Sequence, residues 1–261
     1  VFLAGKSHAL SVSAALGVPV YEFTHQQGHI RAAAFDNESL LGKDFFAFHL
    51  SGGTSELLHI DSSLSDIKKI GGTTDINAGQ LVDRLGVAMG LRFPAGKELE
   101  KIAAEALKNK SYADSGFVLP SSVKNLSCSF SGVETKAANA LKNGEEHGTV
   151  AAAVYDSIAR TLAKLVKNAI EFETENAARE VSVDSKCSAG DETASTKSFL
   201  FAGGVASSTV LREMLADRLQ KVPVKLHFSR PVLSSDNAVG IAALAAEEDA
   251  FNGRTAMSSG T

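Results

Sequence analysis

Two short apolar runs that each end in a pair of glycines constrain the fold of this chain most strongly. Residues 45–50 (FFAFHL) lead into the turn 51–53 (SGG), and residues 199–202 (FLFA) lead into the pair 203–204 (GG). Apolar runs of this length beside turn residues are typical of buried strands. Because the same unit occurs twice and helical patterns follow, the sequence predicts an α/β fold with a duplicated architecture and a cleft between two lobes.

The remaining periodicity predicts that helices and strands alternate along the chain. The polar stretch 173–198 lacks sustained periodicity, which predicts an exposed loop or insertion. The predicted helices cover 7–16, a segment from about Asp75, 97–107, 149–172, 209–219 and a last segment that opens near Asp236. The predicted strands cover 18–23, 45–50, 56–60, 199–202 and 224–231.

Composition excludes several classes of protein. The 261 residues carry 44% hydrophobic and 21% charged side chains, which is typical of one large or two small globular domains. Apolar runs stay shorter than the roughly 18 residues of a membrane span, and we expect no membrane partner. Cys128 and Cys187 form no metal or disulfide motif, which favours a reducing, cytoplasmic location. The net charge of −4 predicts that any nucleic acid is met locally or through a partner.

His25 and His29 form the sharpest local pattern. Two imidazoles four residues apart on a helix point the same way and are able to share one metal ion. Gln26 stands where a zinc-protease motif needs glutamate, which argues against that mechanism. On spacing alone, two surface or capping histidines are the favoured alternative.

The glycine turns are candidates for anion binding. Ser51, Gly52 and Gly53 offer backbone N–H groups and a hydroxyl to a phosphate, or form a simple hairpin turn. Gly203 and Gly204 either face a ligand at a helix N-terminus or permit close packing of helix on strand. The sequence contains neither a GxxxxGK[ST] nor a GxGxxG motif, so neither a P-loop nor a Rossmann site is supported.

Three further polar residues are candidates for the site. Asp236 suits a helix cap, or a third metal ligand beside the two histidines. Asp83 suits ribose hydroxyls or a solvated helix face, and His49 lies directly before the first glycine turn.

Taken together and in order, seven segments resemble the TsaD/Gcp family. They read THQQGHI, HLSGGTSELL, DINAGQLVDRLG, FPAGKELEKIA, SFSGVETKA, FAGGVASSTVLREML and SSDNAVGIAA. They cover nearly the whole chain. The family comprises tRNA N6-adenosine threonylcarbamoyltransferases, formerly described as O-sialoglycoprotein endopeptidases. The resemblance implies the actin/heat-shock-chaperone/sugar-kinase (ASKHA, ribonuclease H-like) two-lobed fold.

The resemblance also implies a set of site residues. One iron or zinc ion would be bound by His25, His29 and Asp236, with His49 as a further candidate ligand. An adenylate nucleotide would lie between the lobes. Its binding residues would be His49, Leu50, Ser51, Gly52, Gly53, Asp83, Gly96, Glu100, Gly203, Gly204 and Ser208.

The implied chemistry is acyl transfer from threonylcarbamoyl-AMP to N6 of the adenine next to the tRNA anticodon. The implied partners are tRNA, a TsaB-like paralogue and a TsaE-like ATPase. The older label implies a metal-dependent glycoprotease as an alternative.

The chain departs from the family pattern in four ways, and the three substitutions among them favour a third alternative, a diverged, non-catalytic paralogue that binds nucleotide or metal. Thr54, Glu134 and Ser208 replace a usual histidine, lysine and asparagine. The usual segment upstream of the HxxxH helix is missing, so we expect an incomplete N-terminal lobe. We expect residues 1–60 to form the remainder of the first lobe, with the histidine helix and the SGG hairpin. Residues 61–261 would form the second lobe and return a metal-binding helix to the cleft.

Overall fold

The computed structural model describes residues 2–64, 66–183, 196–233 and 237–258. Its helices are α1 (Phe2–Leu16), α2 (His25–Ala33), α3 (Ala78–Ala88), α4 (Gly96–Lys108), α5 (Ser111–Ser115), α6 (Ser131–Lys142), α7 (His147–Val183), α8 (Thr209–Leu219) and α9 (Val239–Ser258). Its strands are β1 (Phe45–Leu50), β2 (Ser55–Ile60), β3 (Ile67–Thr73), β4 (Ser122–Lys124), β5 (Ser127–Ser129), β6 (Lys197–Ala202) and β7 (Val224–Phe228).

The seven strands found in these ranges form one mixed sheet in the order β4-β5-β3-β2-β1-β6-β7. β1 pairs antiparallel with β2, its hairpin partner, and parallel with β6 on its other side. In the parallel pair His49 lies opposite Ala202, so both strands end at the same edge of the sheet. The two glycine turns therefore lie next to each other, although the sequence separates them widely.

The central strands bury both faces, because alternate side chains point to opposite sides. On one face, Phe46 and Phe48 stack on Phe199 and Phe201, with ring centroids 4.9 and 5.0 Å apart, under α3, α4, α7 and α8. The other face carries a smaller core. There Phe45, Ala47, Leu58 and Leu200 pack against Ile30 of α2 and Leu244 of α9.

Helices α2 and α9 cross closely on that second face. A Cβ added at Gly240 would lie 1.9 Å from the carbonyl oxygen of Gly28. Glycine at position 240 therefore allows the two backbones to touch. Arg31, which is buried, donates through Nη2 to Glu247 of α9 at 2.6 Å and fixes the same pair of helices.

Most predicted elements are confirmed, and two predictions are wrong. Residues 18–23 form no strand, and Val18 and Val20 are exposed, so this apolar run has no sheet to enter. Residues 173–183 are not a loop, because α7 continues through them to Val183, and residues 197 and 198 begin β6. The rest of the predicted loop, 184–195, lies outside the described residues. The sequence analysis missed β3 and the β4–β5 hairpin, whose residues are mostly polar or glycine.

No helix among the described ranges is both long and apolar enough to cross a bilayer.

Candidate functional site

The first glycine turn connects β1 to β2 and is held by its own hydroxyls. The N–H groups of Gly53 and Thr54 donate to Ser51 Oγ at 3.2 and 3.0 Å, and the Ser51 and Thr54 hydroxyl oxygens are 2.7 Å apart. Gly79 of α3 donates its N–H to the Ser51 carbonyl at 3.2 Å, which anchors the turn to that helix. A Cβ at Gly52 or Gly53 would meet no atom within 4 Å, so the outer side of the turn is open.

The second glycine turn is packed tightly against the first strand. Gly203 has φ +95°, and a Cβ there would lie 2.3 Å from the Leu50 carbonyl oxygen. Gly204 begins a short 3-10 helix at Val205–Ser207. The buried Ser208 caps α8, because its hydroxyl accepts from the Leu211 N–H at 3.2 Å. Gly203 therefore permits close packing of this turn on β1, one of the two alternatives that the sequence left open. The turn also directs the N-terminus of α8 toward the same edge of the sheet.

Glu100 of α4 occupies the N-terminus of α8. Its Oε1 accepts from the backbone N–H groups of Thr209 at 2.6 Å and Val210 at 3.3 Å, and from the Thr209 hydroxyl at 2.9 Å. A carboxylate satisfies N–H groups that a helix leaves without partners and is favoured by the helix dipole. Glu100 therefore joins α4 to α8.

Asp83 and Tyr155 fix the start of α4 from two sides. Asp83 Oδ1 accepts from the Ala95 N–H at 2.8 Å, and the Tyr155 hydroxyl donates to the Gly96 carbonyl at 3.1 Å. Burial raises the pKa of Tyr155 well above its ordinary value, the negative charges of Glu100 and Asp83 add to this rise, and a hydrogen bond from Ser208 opposes it. Tyr155 thus remains a neutral hydrogen-bonding group between α4 and the α8 cap.

These groups surround one cavity of about 450 Å³, which we call the main cavity. Six of the predicted nucleotide-binding residues line it: Gly52, Asp83, Gly96, Glu100, Gly204 and Ser208. The other five predicted residues, His49, Leu50, Ser51, Gly53 and Gly203, lie in β1 and the turns beside it and are not among its lining residues. Sequence reasoning missed Tyr155, Gly79, Val82, Pro94, Lys97, Val205, Ser207 and Pro231 in its wall.

The two predicted metal-binding histidines lie on one face of α2. Thr24 and Gln27 form a capping box, in which the Gln27 N–H donates to Thr24 Oγ1 at 3.2 Å, so the helix begins at His25. The Nε2 atoms of His25 and His29 are then 3.0 Å apart. Two imidazole nitrogens that converge in this way fit as two ligands of one zinc or iron ion.

His49 lies next to this pair, at the end of β1. Its ring centroid is 5.6 Å from that of His29. Burial lowers the pKa of His49, and the neighbouring His29 lowers it further, which favours the neutral form that binds metals. Asp236 lies outside the described residues. Among the residues that are described, no group of three or more His, Cys, Asp or Glu is arranged to hold a metal ion.

The sequence and the structure of this chain were each compared with known proteins, and the sequence matches come first. The family model described as TsaD, tRNA N6-adenosine threonylcarbamoyltransferase, matches residues 2–243. Proteins of that name from Corynebacterium diphtheriae and Corynebacterium aurimucosum are 29% and 28% identical over 248 residues, which is 94% of this chain and 66% of each relative. The chain thus spans 66% of the length of these relatives.

A structure of full-length HypF, in a phosphate- and nucleotide-bound form, superposes with a TM-score of 0.55 at 13% identity. The match covers 82% of this chain and 34% of HypF. At this identity the likeness concerns the fold alone. It confirms the predicted α/β fold of the actin, chaperone and sugar-kinase class.

Proposed function

The chain belongs to the TsaD family, and from this premise we propose that it transfers a threonylcarbamoyl group to tRNA. The donor is threonylcarbamoyl-AMP, and the acceptor is N6 of the adenine next to the anticodon. The observation that carries the proposal is the main cavity, in which six of the residues expected to bind the adenylate meet. Its volume of about 450 Å³ suits a ligand of nucleotide size, because such sites usually measure about 300–1,000 Å³.

The residues of the cavity bind the AMP part of the donor in this proposal. Asp83 accepts from ribose hydroxyls through the carboxylate oxygen that does not contact Ala95. The open turn at Gly52 and Gly53 receives the phosphate, since no side chain blocks its backbone. The adenine lies toward Gly204 and Ser208. The nucleotide bound in the HypF structure supports this use of the fold.

The reaction needs no covalent attachment to the protein. The acceptor N6 attacks the carbamoyl carbon, and a C–N bond forms. The bond from that carbon to the phosphate oxygen breaks, AMP leaves with the electron pair, and N6 loses a proton. The role of the chain is to hold the donor in one orientation, which by itself lowers the barrier substantially.

His25, His29 and Asp236 would bind one iron or zinc ion, with His49 as a further candidate. The convergence of the two Nε2 atoms supports this assignment, and the neutral form favoured at His49 is consistent with it. When bound, such an ion supplies a Lewis acid that stabilises negative charge on oxygen. Metal dependence is part of the proposal.

The proposal extends to partners and location. A TsaB-like paralogue and a TsaE-like ATPase would assemble with the chain, and tRNA as acceptor is consistent with a cytoplasmic site of action. The division into residues 1–60 and 61–261 stays a prediction.

Each of the three substituted positions has a structural role that is compatible with activity. Thr54 holds the first glycine turn, and Ser208 caps α8. Glu134 pairs with Arg84, whose Nη1 lies 3.2 Å from both carboxylate oxygens. The departures from the family pattern therefore do not favour the non-catalytic alternative.

The test is a transfer assay with the full chain, its partner proteins, threonylcarbamoyl-AMP and unmodified tRNA. We expect mass spectrometry of the digested tRNA to detect threonylcarbamoyladenosine. Asp83→Asn keeps an acceptor for Ala95 but removes the charge facing ribose, so we expect a loss of about tenfold or more in kcat/KM. Asp114→Asn, at an exposed position of α5, is the matched control. The proposal would be overturned if the wild type produced no modified adenosine while the C. diphtheriae relative modified the same tRNA.

A further inference from the structure

A second cavity of about 480 Å³ adjoins the main cavity, and we call it the outer cavity. It is lined by Gly52, Gln80, Asp83, Arg84, Val87 and Phe93. Gly52 and Asp83 line both cavities, so they form the wall between the two. A molecule in the outer cavity would be separated from a ligand in the main cavity only by that wall.

The outer cavity displays an exposed aromatic side chain. Phe93 is 74% exposed and Val87 is 51% exposed. The loop that carries Phe93 is fixed on both sides, because Leu91 donates to the Gly86 carbonyl at 3.0 Å and Ala95 donates to Asp83 at 2.8 Å. Phe93 is therefore a ring on an anchored loop that packs against no part of the core.

Gln80 and Arg84 give the outer cavity hydrogen-bond donors beside the Asp83 carboxylate. Gln80 uses its Oε1 to accept from the Asn77 N–H at 3.0 Å, which leaves the amide NH₂ out of that bond. Arg84 is half exposed and pairs with Glu134. A solvated pair of this kind contributes little to stability, so another anion competes readily for the guanidinium.

We propose that the outer cavity receives the acceptor purine of the tRNA, extruded from its base stack and placed on Phe93. This inference rests on the proposed function, which requires a nucleobase amine beside the donor. Bases of single-stranded RNA are held chiefly by stacking on aromatic side chains, and enzymes that modify a base take it out of the stack. Arg84 contacts an adjacent phosphate, with which it forms a charge-assisted hydrogen bond.

The chemistry of the cavity argues against the threonyl part of the donor as its occupant. That group is small and polar, and it gains little from Phe93 and Val87, although Arg84 is able to pair with its carboxylate. A flat, apolar ring with polar edges matches an aromatic face beside the Gln80 amide.

The test uses the full chain and an anticodon stem-loop RNA that carries 2-aminopurine at the acceptor position. Stacking on Phe93 should quench the fluorescence of the base. Phe93→Ala should abolish the quenching and raise the Kd for RNA about 5- to 150-fold, the range for loss of one stacked base. Phe93→Tyr should restore both, and the affinity for AMP should be unchanged in each variant.

Phe172→Ala removes a phenylalanine that is 42% exposed on α7, outside both cavities, and serves as the matched control. Arg84→Gln should weaken binding and reduce the slope of log Kd against log salt by about 1, as expected for one lost phosphate contact. Glu134→Gln should tighten RNA binding about two- to fivefold, because it removes a competing anion.

Three results would overturn the inference. They are unchanged quenching and affinity in Phe93→Ala, a loss of affinity for the donor rather than for RNA in that variant, and no RNA binding by the wild type. The binding assay needs no turnover and is therefore independent of the transfer assay. RNA held through Phe93 without transfer would contradict only the proposed activity, whereas transfer with an unchanged KM for tRNA in Phe93→Ala would contradict only this inference.

Discussion

The two glycine turns share one sequence pattern and differ in what their glycines do. Gly52 and Gly53 face open space, where a Cβ would meet no atom within 4 Å. Gly203 has a left-handed backbone and touches the Leu50 carbonyl. The packing around the first turn thus does not require glycine, and in our proposal its glycines serve a ligand, while the second turn needs Gly203 so that it packs closely against β1. A repeated motif does not imply a repeated role.

Gly203→Ala should give the largest effect on folding. The left-handed backbone costs a non-glycine residue about 1–2 kcal/mol, and the Cβ would clash with backbone rather than with a flexible side chain. We expect the free energy of unfolding to fall by about 3 kcal/mol or more, measured by urea denaturation. Gly204→Ala is the control: Gly204 has φ −60° and no atom within 4 Å of a Cβ, so its stability should change little.

Gly240→Ala tests whether a third glycine acts by packing, as Gly203 does. A Cβ there would meet the Gly28 carbonyl oxygen at 1.9 Å and force α2 and α9 apart. We expect a loss of about 2–3 kcal/mol in the free energy of unfolding, the usual size for overpacking. Gly28→Ala meets the end of the flexible Ile241 side chain at 2.8 Å and should cost less. Equal stability in Gly240→Ala and the wild type would contradict the close crossing.

Gly52→Ala should separate binding from folding. The free energy of unfolding should stay within about 0.5 kcal/mol of the wild type, because the new methyl group meets nothing in the protein. The affinity for AMP should fall about tenfold, measured by calorimetry, because the methyl group lies where we place the phosphate. A destabilised variant, or one that binds AMP normally, would remove the distinction between the two turns.

Tyr155→Phe should have a smaller effect, confined to the second turn and the start of α4. The substitution removes the hydroxyl that is hydrogen-bonded to the Gly96 carbonyl and to Ser208. We therefore expect the free energy of unfolding to fall by about 1 kcal/mol and the affinity for AMP to weaken three- to tenfold. Tyr112→Phe is the control. Burial raises the pKa of Tyr112 to about 12, but this tyrosine contacts Asp156 outside the main cavity, so its loss should leave AMP binding unchanged.

Substitution of Asp75 should have the smallest effect. This residue fixes its loop through hydrogen bonds to its carboxylate, in contrast to the second turn, which depends on a glycine. Burial alone would raise its pKa, but hydrogen bonds from Ser129, Ser131 and the Phe130 N–H outweigh burial and hold the pKa well below its ordinary value. Its stabilisation is therefore complete above the unfolded pKa of about 4 and is lost as pH falls through the folded pKa. Asp75→Asn should lower stability at pH 7 by about 1 kcal/mol and flatten the decline in acid. An unchanged acid limb in denaturation curves would contradict this assignment.

Local patterns predicted the local parts of this molecule. The two strand–glycine units each depend on neighbours within a few residues, and both are confirmed. The helix of His25 and His29, which the resemblance implied, is present as α2. Tyr155 gave no signal, because in the sequence it is one more apolar residue of a helix that faces the core. Phe93 stands in the segment FPAGKELEKIA and gives no signal of its own in the sequence. Its exposure depends on the anchored loop, which no pattern shows.

Of the residues that line the main cavity, Gly52, Gly204 and Asp83 were candidates from pattern, whereas Gly96, Glu100 and Ser208 followed from the resemblance alone. Asp83, Glu100 and Ser208 come together through contacts between α4 and α8 and between α3 and the loop before α4. Such contacts depend on packing over long distances in the chain. The polar stretch 173–183 was misread for a similar reason, because a helix that is already long continues through residues with no apolar stripe.

The pairing of β1 with β6 has a consequence for the synthesis of the chain. His49 and Ala202 lie opposite each other although roughly 150 residues separate them, and closing so long a loop carries a large entropic cost. The β1–β2 hairpin is able to form while the ribosome is still translating the long helix α7. The proposed nucleotide site is complete only after β6 and the segment that follows it have emerged, so a nascent chain that ends before β6 has nine of the 14 residues that line the main cavity.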